Sequence, residues 1–273
     1  PDGSTRPLNG IVFRAEQGPS TVRSARYTLE LRPWFLRLDQ ERTCAVFQNM
    51  SVPEIVTKVC TDAGFGHIRN ALSSTYPAKE YTVRYGETSL AFLSRLMAEA
   101  GIVYFFEHSG SAHTLVMADS PDVFADCPQG ATLEWLPDAQ DKEGGPPTEP
   151  SAHVFELSLS RQVAAASCSV DDYNPLTPET SLAASAGEGF PCLGYPLAGH
   201  IDQQSGEGLA AIRLDACESG GFKLRGRSSC PGLSAGCAFA VKGHPDGQVN
   251  ARWVATEVRF TASFPGDGTA ETG

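Results

Sequence analysis

The sequence predicts a mainly β (α+β) fold. Three observations carry that expectation. Residues 81–117 read as a strand, a helix and a hairpin in succession. Strand-like runs bounded by turn residues lie on both sides of that unit. Helical periodicity is confined to the neighbourhoods of residues 51–63, 88–100 and 209–218.

Taken in order, residues 8–14 (LNGIVFR) and 26–32 (RYTLELR) read as strands, with the turn region at Gln17, Gly18, Pro19 and Ser20 between them. Pro33–Trp34 and residues 44–47 continue in the same style. Ser51 starts a helix. Ser51 and Glu54 have capping-box spacing, and Pro53 falls in the first turn, where its missing N–H is tolerated. Val52, Ile55, Val56, Val59, Cys60 and Ala63 make one apolar face, and Gly64 ends it.

Tyr81, Val83 and Tyr85 alternate with Thr82 and Arg84, the period of a half-buried strand. Gly86 breaks the run, and Thr88 is placed to cap the next helix. Leu90, Leu93, Leu96, Met97 and Ala100 fall at helical spacing, with Arg95 and Glu99 four apart on the outer side. Gly101 sits where a left-handed residue ends a helix. Residues 102–106 read as a buried strand and 114–117 as its hairpin partner across Ser109 and Gly110. Residues 119–128 are a polar turn region.

Residues 137–152 are rich in Pro and Gly and read as a linker or long loop. Residues 153–159 alternate as a strand, with 163–170 the candidate neighbour. Tyr173–Asn174–Pro175 is a turn, and 176–208 reads as irregular. Residues 209–218 fit a helix or a strand, and the helix is preferred. Residues 222–225, 238–241 and 252–260 read as strands, with turns at Gly232 and at Gly243–His244–Pro245. Residues 265–273 read as a frayed tail. No internal repeat is visible.

The chain has 273 residues, enough for one large or two modest domains, and 41% apolar residues, enough for packed cores. Its net charge of −11 argues against binding nucleic acid or anionic membranes through a general basic surface. No apolar run approaches the length of a membrane helix. No secretory signal and no starting Met are present, and residues 1–7 read as the interior of a longer chain. Eight cysteines, at 44, 60, 127, 168, 192, 217, 230 and 237, form no C-x-x-C and no finger spacing with His. They read as small buried hydrophobes in a reducing cytosol. Loop disulfides in the C-terminal half, for example Cys230 with Cys237, stay open.

Residues 232–236 (GLSAG) match G-x-S-x-G, which would make Ser234 a nucleophile if a helix followed. A strand-like CAFAVKG follows instead, and the His244 and Asp246 behind it are in the wrong order, so a β-turn is the reading. Residues 206–211 match G-x-G-x-x-A, but IDQQS rather than a buried strand precedes them. His200 with Asp202, and His244 with Asp246, are i, i+2 pairs that lack a third ligand. His108 and His113 flank a hairpin turn and are expected to be exposed. No pair of carboxylates is singled out for glycoside cleavage. The segment 81–101 faintly resembles the glycan-binding LysM modules, which makes peptidoglycan binding through Tyr85 and Thr88 a second class of function. No catalytic, cofactor-binding or metal-binding residue is assigned, and the chain is read as a non-enzyme with no cofactor.

The run EYTVRYGETSLAFLSRLMAEAGIVYFFEH…HTLVMAD resembles the VgrG (valine–glycine repeat) spike family of type VI secretion, and more broadly the baseplate hubs of contractile phage tails. So do YTLELRPWFLRL…ERTCAVFQNMSVPEIV, DDYNP, GYPLAGHIDQQSGEGLAAIRLDA and LSAGCAFAVKGHPDG…NARWVATEVRF. The resemblance implies two antiparallel tube-type β-barrels with a mixed α/β insert. Residues 1–50 would be the remainder of the first barrel, 51–125 the insert, and 126–273 the second barrel, with the loop at 137–152. It implies a structural hub that forms a homotrimer and caps a tube of haemolysin-coregulated protein hexamers. Other implied partners are baseplate components, and effector or adaptor proteins bound through a C-terminal region beyond this sequence. It implies assembly in the bacterial cytoplasm followed by export through the injection machine. Strands before residue 8 and a needle after residue 260 are expected by the resemblance and missing, so the chain reads as a fragment.

Overall fold

The computed structural model describes residues 7–20, 25–128, 130–137, 152–192 and 202–260. Strands β1 (Ile11–Ser20) and β2 (Ala25–Arg32) form an antiparallel ribbon. A short 3-10 turn, Trp34–Asp39, leads to β3 (Arg42–Met50), which pairs with β5 (Lys79–Thr88) in a second antiparallel ribbon. Between them lie helix α1 (Val52–Asp62) and strand β4 (Ile68–Ala71). Helix α2 (Ser89–Glu99) follows, then the hairpin β6 (Val103–Ser109) and β7 (Ala112–Ala118). The three-stranded sheet has the order β4-β7-β6, with β4 parallel to β7.

The main core lies between the helices and these sheets. Ile55, Val56 and Cys60 of α1 meet Phe92, Leu93, Leu96 and Met97 of α2, Leu115 and Met117 of β7, and Trp34 and Phe35. Most of each predicted helical face is buried, although Ala63 is exposed and Phe92, outside the predicted face, is fully buried. Each such side chain contributes roughly 1.5–3 kcal/mol by leaving water. Burial also pushes the Cys60 thiol up to about 12, as suits a small hydrophobe. The Glu54 carboxylate accepts from both the backbone N–H (2.8 Å) and the hydroxyl (2.7 Å) of Ser51. Thr88 caps α2, accepting from Ala91 N–H at 3.1 Å. Arg95 bonds Glu99 as its spacing predicts, and Glu87 as well. Gly64 and Gly101 take the left-handed conformation at the helix ends.

The C-terminal half holds β8 (Thr132–Trp135), β9 (His153–Arg161), β12 (Phe222–Ser228), β13 (Ala238–Lys242) and β14 (Arg252–Val254) in one sheet of order β12-β9-β8-β13-β14. β8 runs parallel to both its neighbours, so this sheet is mixed rather than purely antiparallel. A separate ribbon, β10 (Ser167–Val170) with β11 (Ala184–Gly187), packs against α3 (Gln203–Gly221).

Several expectations need correction. The candidate neighbour of β9 at 163–170 instead supplies β10, because β9 is flanked by β12 and β8. The region 176–208 is not wholly irregular, since it contains β11 and the first two turns of α3. Gly206 and Gly208 lower its helix propensity. Asp202, accepting from Ser205 N–H at 2.7 Å, and the burial of Ala210 and Leu214 offset that. The linker candidate at 137–152, apart from its two end residues, and the whole of the tail at 265–273 lie outside the described residues. The disulfide joins Cys127 to Cys237, not Cys230 to Cys237. Cys44 is exposed, not buried.

Candidate functional site

The alternation at 81–85 is that of a half-buried strand, and its polar residues are the inward ones. Thr82 is buried and Arg84 half-buried, while Tyr81, Val83 and Tyr85 face outward, Tyr85 with 83% of its surface exposed. The reason lies in what covers the ribbon. Its inner face packs on α2, with Phe47 stacked on Phe92 at 5.4 Å, so only small or polar residues fit beside the helix on β5. The outer face pairs Val46 directly with Val83 and carries Tyr81 and Tyr85 on the same side.

The first ribbon repeats the pattern. Tyr27, Leu29 and Leu31 alternate on one face of β2 and are all exposed, with Val12 opposite Leu31. The other face holds the ion pairs of Arg14 with Glu16 and Arg32 with Glu30. A two-stranded ribbon is marginal in water unless its apolar face is covered, and contiguous exposed apolar surface marks interaction sites. Sequence reasoning missed both faces because alternation reports which residues share a face, not which face looks inward.

The residues singled out for chemistry fall into structural roles. Ser234 sits in a turn: its N–H donates to Cys237 Sγ at 3.3 Å, and Cys237 N–H donates back to its carbonyl at 3.1 Å. Strand β13 follows, not a helix. His244 is held in its own turn, its Nδ1 accepting from Asp246 N–H at 3.1 Å and its ring against Trp135. Residues 206–211 lie within α3, already past its first residue. Asp202 is the cap of α3, and His200 lies outside the described residues. Thr88 also donates to Asp39 Oδ1 at 2.8 Å, so its hydroxyl is committed on both sides rather than offered to a glycan. Among the described residues, no group of three or more His, Cys, Asp or Glu could hold a metal ion. No helix among them is long and apolar enough to cross a membrane.

The hairpin histidines depart from expectation. His113 is only 6% exposed. Its Nε2 accepts from Trp34 N–H at 2.9 Å, while Trp34 Nε1–H donates to the His113 carbonyl at 3.3 Å. His108 stacks beside it and accepts Asn9 N–H at its Nδ1. Burial, then the positive charge His108 and His67 would carry, lowers the His113 pKa from 6.5. The folded state therefore binds a proton at His113 less readily than the unfolded chain. The associated stability is present above pH 6.5 and is lost as pH falls below it through the folded value. The thermal midpoint is expected to drop between pH 7 and pH 5, and to drop less in His113→Asn, which keeps an acceptor without the titration. Equal slopes in the two proteins would remove His113 as the cause.

Asp119 ties the chain after β4 to the end of β7. Burial raises its pKa, but hydrogen bonds from the N–H groups and hydroxyls of Ser73 and Ser74 outweigh that and hold it well below the carboxylate range. Tyr76 adds a further bond at 3.0 Å. This is a loop anchor.

The type VI secretion system spike protein VgrG1b of Pseudomonas aeruginosa is 32% identical over 95% of this chain and 35% of its own length. Spike protein VgrG1c of the same organism is 34% identical over 90% of this chain and 34% of its own. The chain thus spans about a third of these relatives. Among solved structures, the E. coli c3393 protein superimposes with a TM-score of 0.61 at 22% identity, covering 86% of this chain and 50% of that one. It is described as a component of the type VI secretion system with structural similarity to the T4 bacteriophage tail proteins gp27 and gp5. The family described as phage tail baseplate hub (GPD) matches residues 1–266, and this chain belongs to that family.

Proposed function

We propose that the chain is the structural hub module of a type VI secretion spike. The observation that carries the reading is the outward apolar face on each of two ribbons. Such faces, with no catalytic set assembled among the described residues, favour an assembly part over an enzyme. In this reading the β1–β2 ribbon belongs to a first barrel over residues 1–50, residues 51–125 are the α/β insert, and the five-stranded sheet belongs to a second barrel. Three chains close into a ring, with neighbours covering the ribbon faces and edges. One side of the ring meets the hexameric tube of haemolysin-coregulated protein. Baseplate components and effectors engage the assembled spike, which forms in the cytoplasm and leaves through the machine. A tail hub of a phage or phage-like particle is the second reading, favoured by the description of the matching family. Binding to tube hexamers of one system and not the other separates them.

The test is the solution mass by light scattering across a concentration series. Three times 29.0 kDa is 87 kDa, the expected assembled mass. Tyr85→Glu is expected to leave the thermal midpoint of the monomer unchanged and to weaken assembly by at least about tenfold, as loss of an aromatic anchor does. A monomer at every concentration, or a Tyr85→Glu trimer as tight as the parent, would count against the ribbon face as the contact.

A further inference from the structure

Three cysteines from three separate segments lie near one another, Cys192 and Cys217 both acting electrostatically on Cys168. Cys168 lies in β10, Cys192 lies five residues past the end of β11, and Cys217 lies on α3. Residues 190–192 run alongside β10. Ser167 N–H donates to the Phe190 carbonyl at 3.3 Å, and Cys192 N–H donates to the Ser167 carbonyl at 2.8 Å. These bonds make a parallel bridge between Ser167 and Pro191. Both backbone groups of Ser167 point to that segment, so it lies on the edge of β10 opposite β11.

One position further in the same register, Cys168 lies beside Cys192, and residues level on neighbouring strands share a face. Neighbouring strands are about 4.8 Å apart, inside the Cα–Cα span of roughly 4.4–6.8 Å that a disulfide bridges. The Cys192 side chain lies close enough to act on the Cys168 thiol. Cys168 is fully buried, whereas Cys192 is partly exposed. Burial, then the neighbouring Cys192, pushes the Cys168 thiol up to about 11, so the sulfur that meets reagents first is that of Cys192.

We propose that Cys168 and Cys192 are a second disulfide-forming pair, which closes on exposure to a small-molecule disulfide and fastens the 190–192 segment to β10. In the first step the Cys192 thiol loses its proton to solvent and its sulfur attacks one sulfur of the oxidant. The oxidant S–S bond breaks and one thiolate leaves. Cys168 then loses its proton and attacks the Cys192 sulfur of the mixed disulfide, and the second thiolate leaves. The pair gives up two electrons and the oxidant is reduced to two thiols. With Cys127–Cys237, the fully oxidised chain then holds two disulfides. None of this depends on the hub reading.

The experiment treats the whole chain with glutathione disulfide, blocks remaining thiols with iodoacetamide, cleaves with a glutamate-specific protease and reads the peptides by mass spectrometry. That protease is needed because no Lys or Arg lies between the two cysteines, whereas Glu179 and Glu188 do. The expected result is a cross-linked Cys168–Cys192 peptide pair, lost with dithiothreitol. It should be lost in Cys192→Ser and retained in Cys217→Ser. Cys192→Ser is chosen because its site is partly exposed, and an unchanged thermal midpoint of that variant confirms folding. Continued labelling of both cysteines after oxidation would overturn the proposal. So would a stable glutathione adduct on Cys192, or a Cys192–Cys217 bond in its place.

Discussion

Trp34→Ala is expected to lower folding stability by about 3–5 kcal/mol, the usual cost of removing a buried large aromatic. Against a typical total of roughly 5–15 kcal/mol, that takes the chain close to unfolding. Trp34 is buried in the main cluster, stacked on Phe65 at 4.7 Å and edge-on to Phe35 and Phe106. Its indole N–H and its backbone N–H both bond His113, which fastens the 3-10 turn to the β6–β7 hairpin 79 residues away. The substitution opens a cavity and strands the His113 carbonyl among apolar neighbours. Urea denaturation measures it. Trp34→Phe, which keeps a ring but loses the indole bond, is expected to fall between parent and Ala. A loss under about 1 kcal/mol for Trp34→Ala would mean that the turn does not hold the two parts together.

Gly236→Ala is expected to cost about 2–5 kcal/mol, while Ser234→Ala two residues away should fall within roughly 0.5 kcal/mol of the parent. Gly236 has φ +85°, a conformation that L side chains rarely adopt. A Cβ there would lie 2.3 Å from Phe105 Cδ2, so the ring of β6 must move. That ring lines a groove of about 480 Å³ between the hairpin and the C-terminal sheet, with Val103, Phe124, Ala235 and Val258. The contrast places the structural constraint of the G-x-S-x-G match at its second glycine. The nucleophile reading of Ser234 is tested by labelling, not by stability. Labelling of the parent by a fluorophosphonate probe, abolished in Ser234→Ala, would restore the hydrolase reading.

Local pattern was legible wherever the neighbours that decide a conformation are close in sequence. The helix faces of α1 and α2, the cap at Thr88, the Arg95–Glu99 pair and the left-handed Gly64 and Gly101 all depend on contacts within about four residues. The hairpin of β6 and β7 depends on one turn. The mixed sheets were not legible. β4 pairs with β7 across about forty residues, and β8 pairs in parallel with both β9 and β13. Nothing in a short window reports such partners. Residues 102–106 read as the buried strand, yet Val103 and Tyr104 are exposed, and it is β7, central in its sheet, that is covered. The start of α3 was missed because propensity disfavours two glycines, while the tertiary contacts of Ala210 and Leu214 favour the helix.

By itself, the sequence determined the mainly β character, helices α1 and α2, the turn at Ser234 and, through long stretches of likeness, the hub family. Only the tertiary structure decided which parity of each ribbon faces outward and which cysteines meet. It also decided that His113 is a buried acceptor rather than a surface residue. The physical reason is common to all three. Period and propensity are properties of a segment, whereas burial is a property of what packs on it, and here the packing partners come from remote parts of the chain.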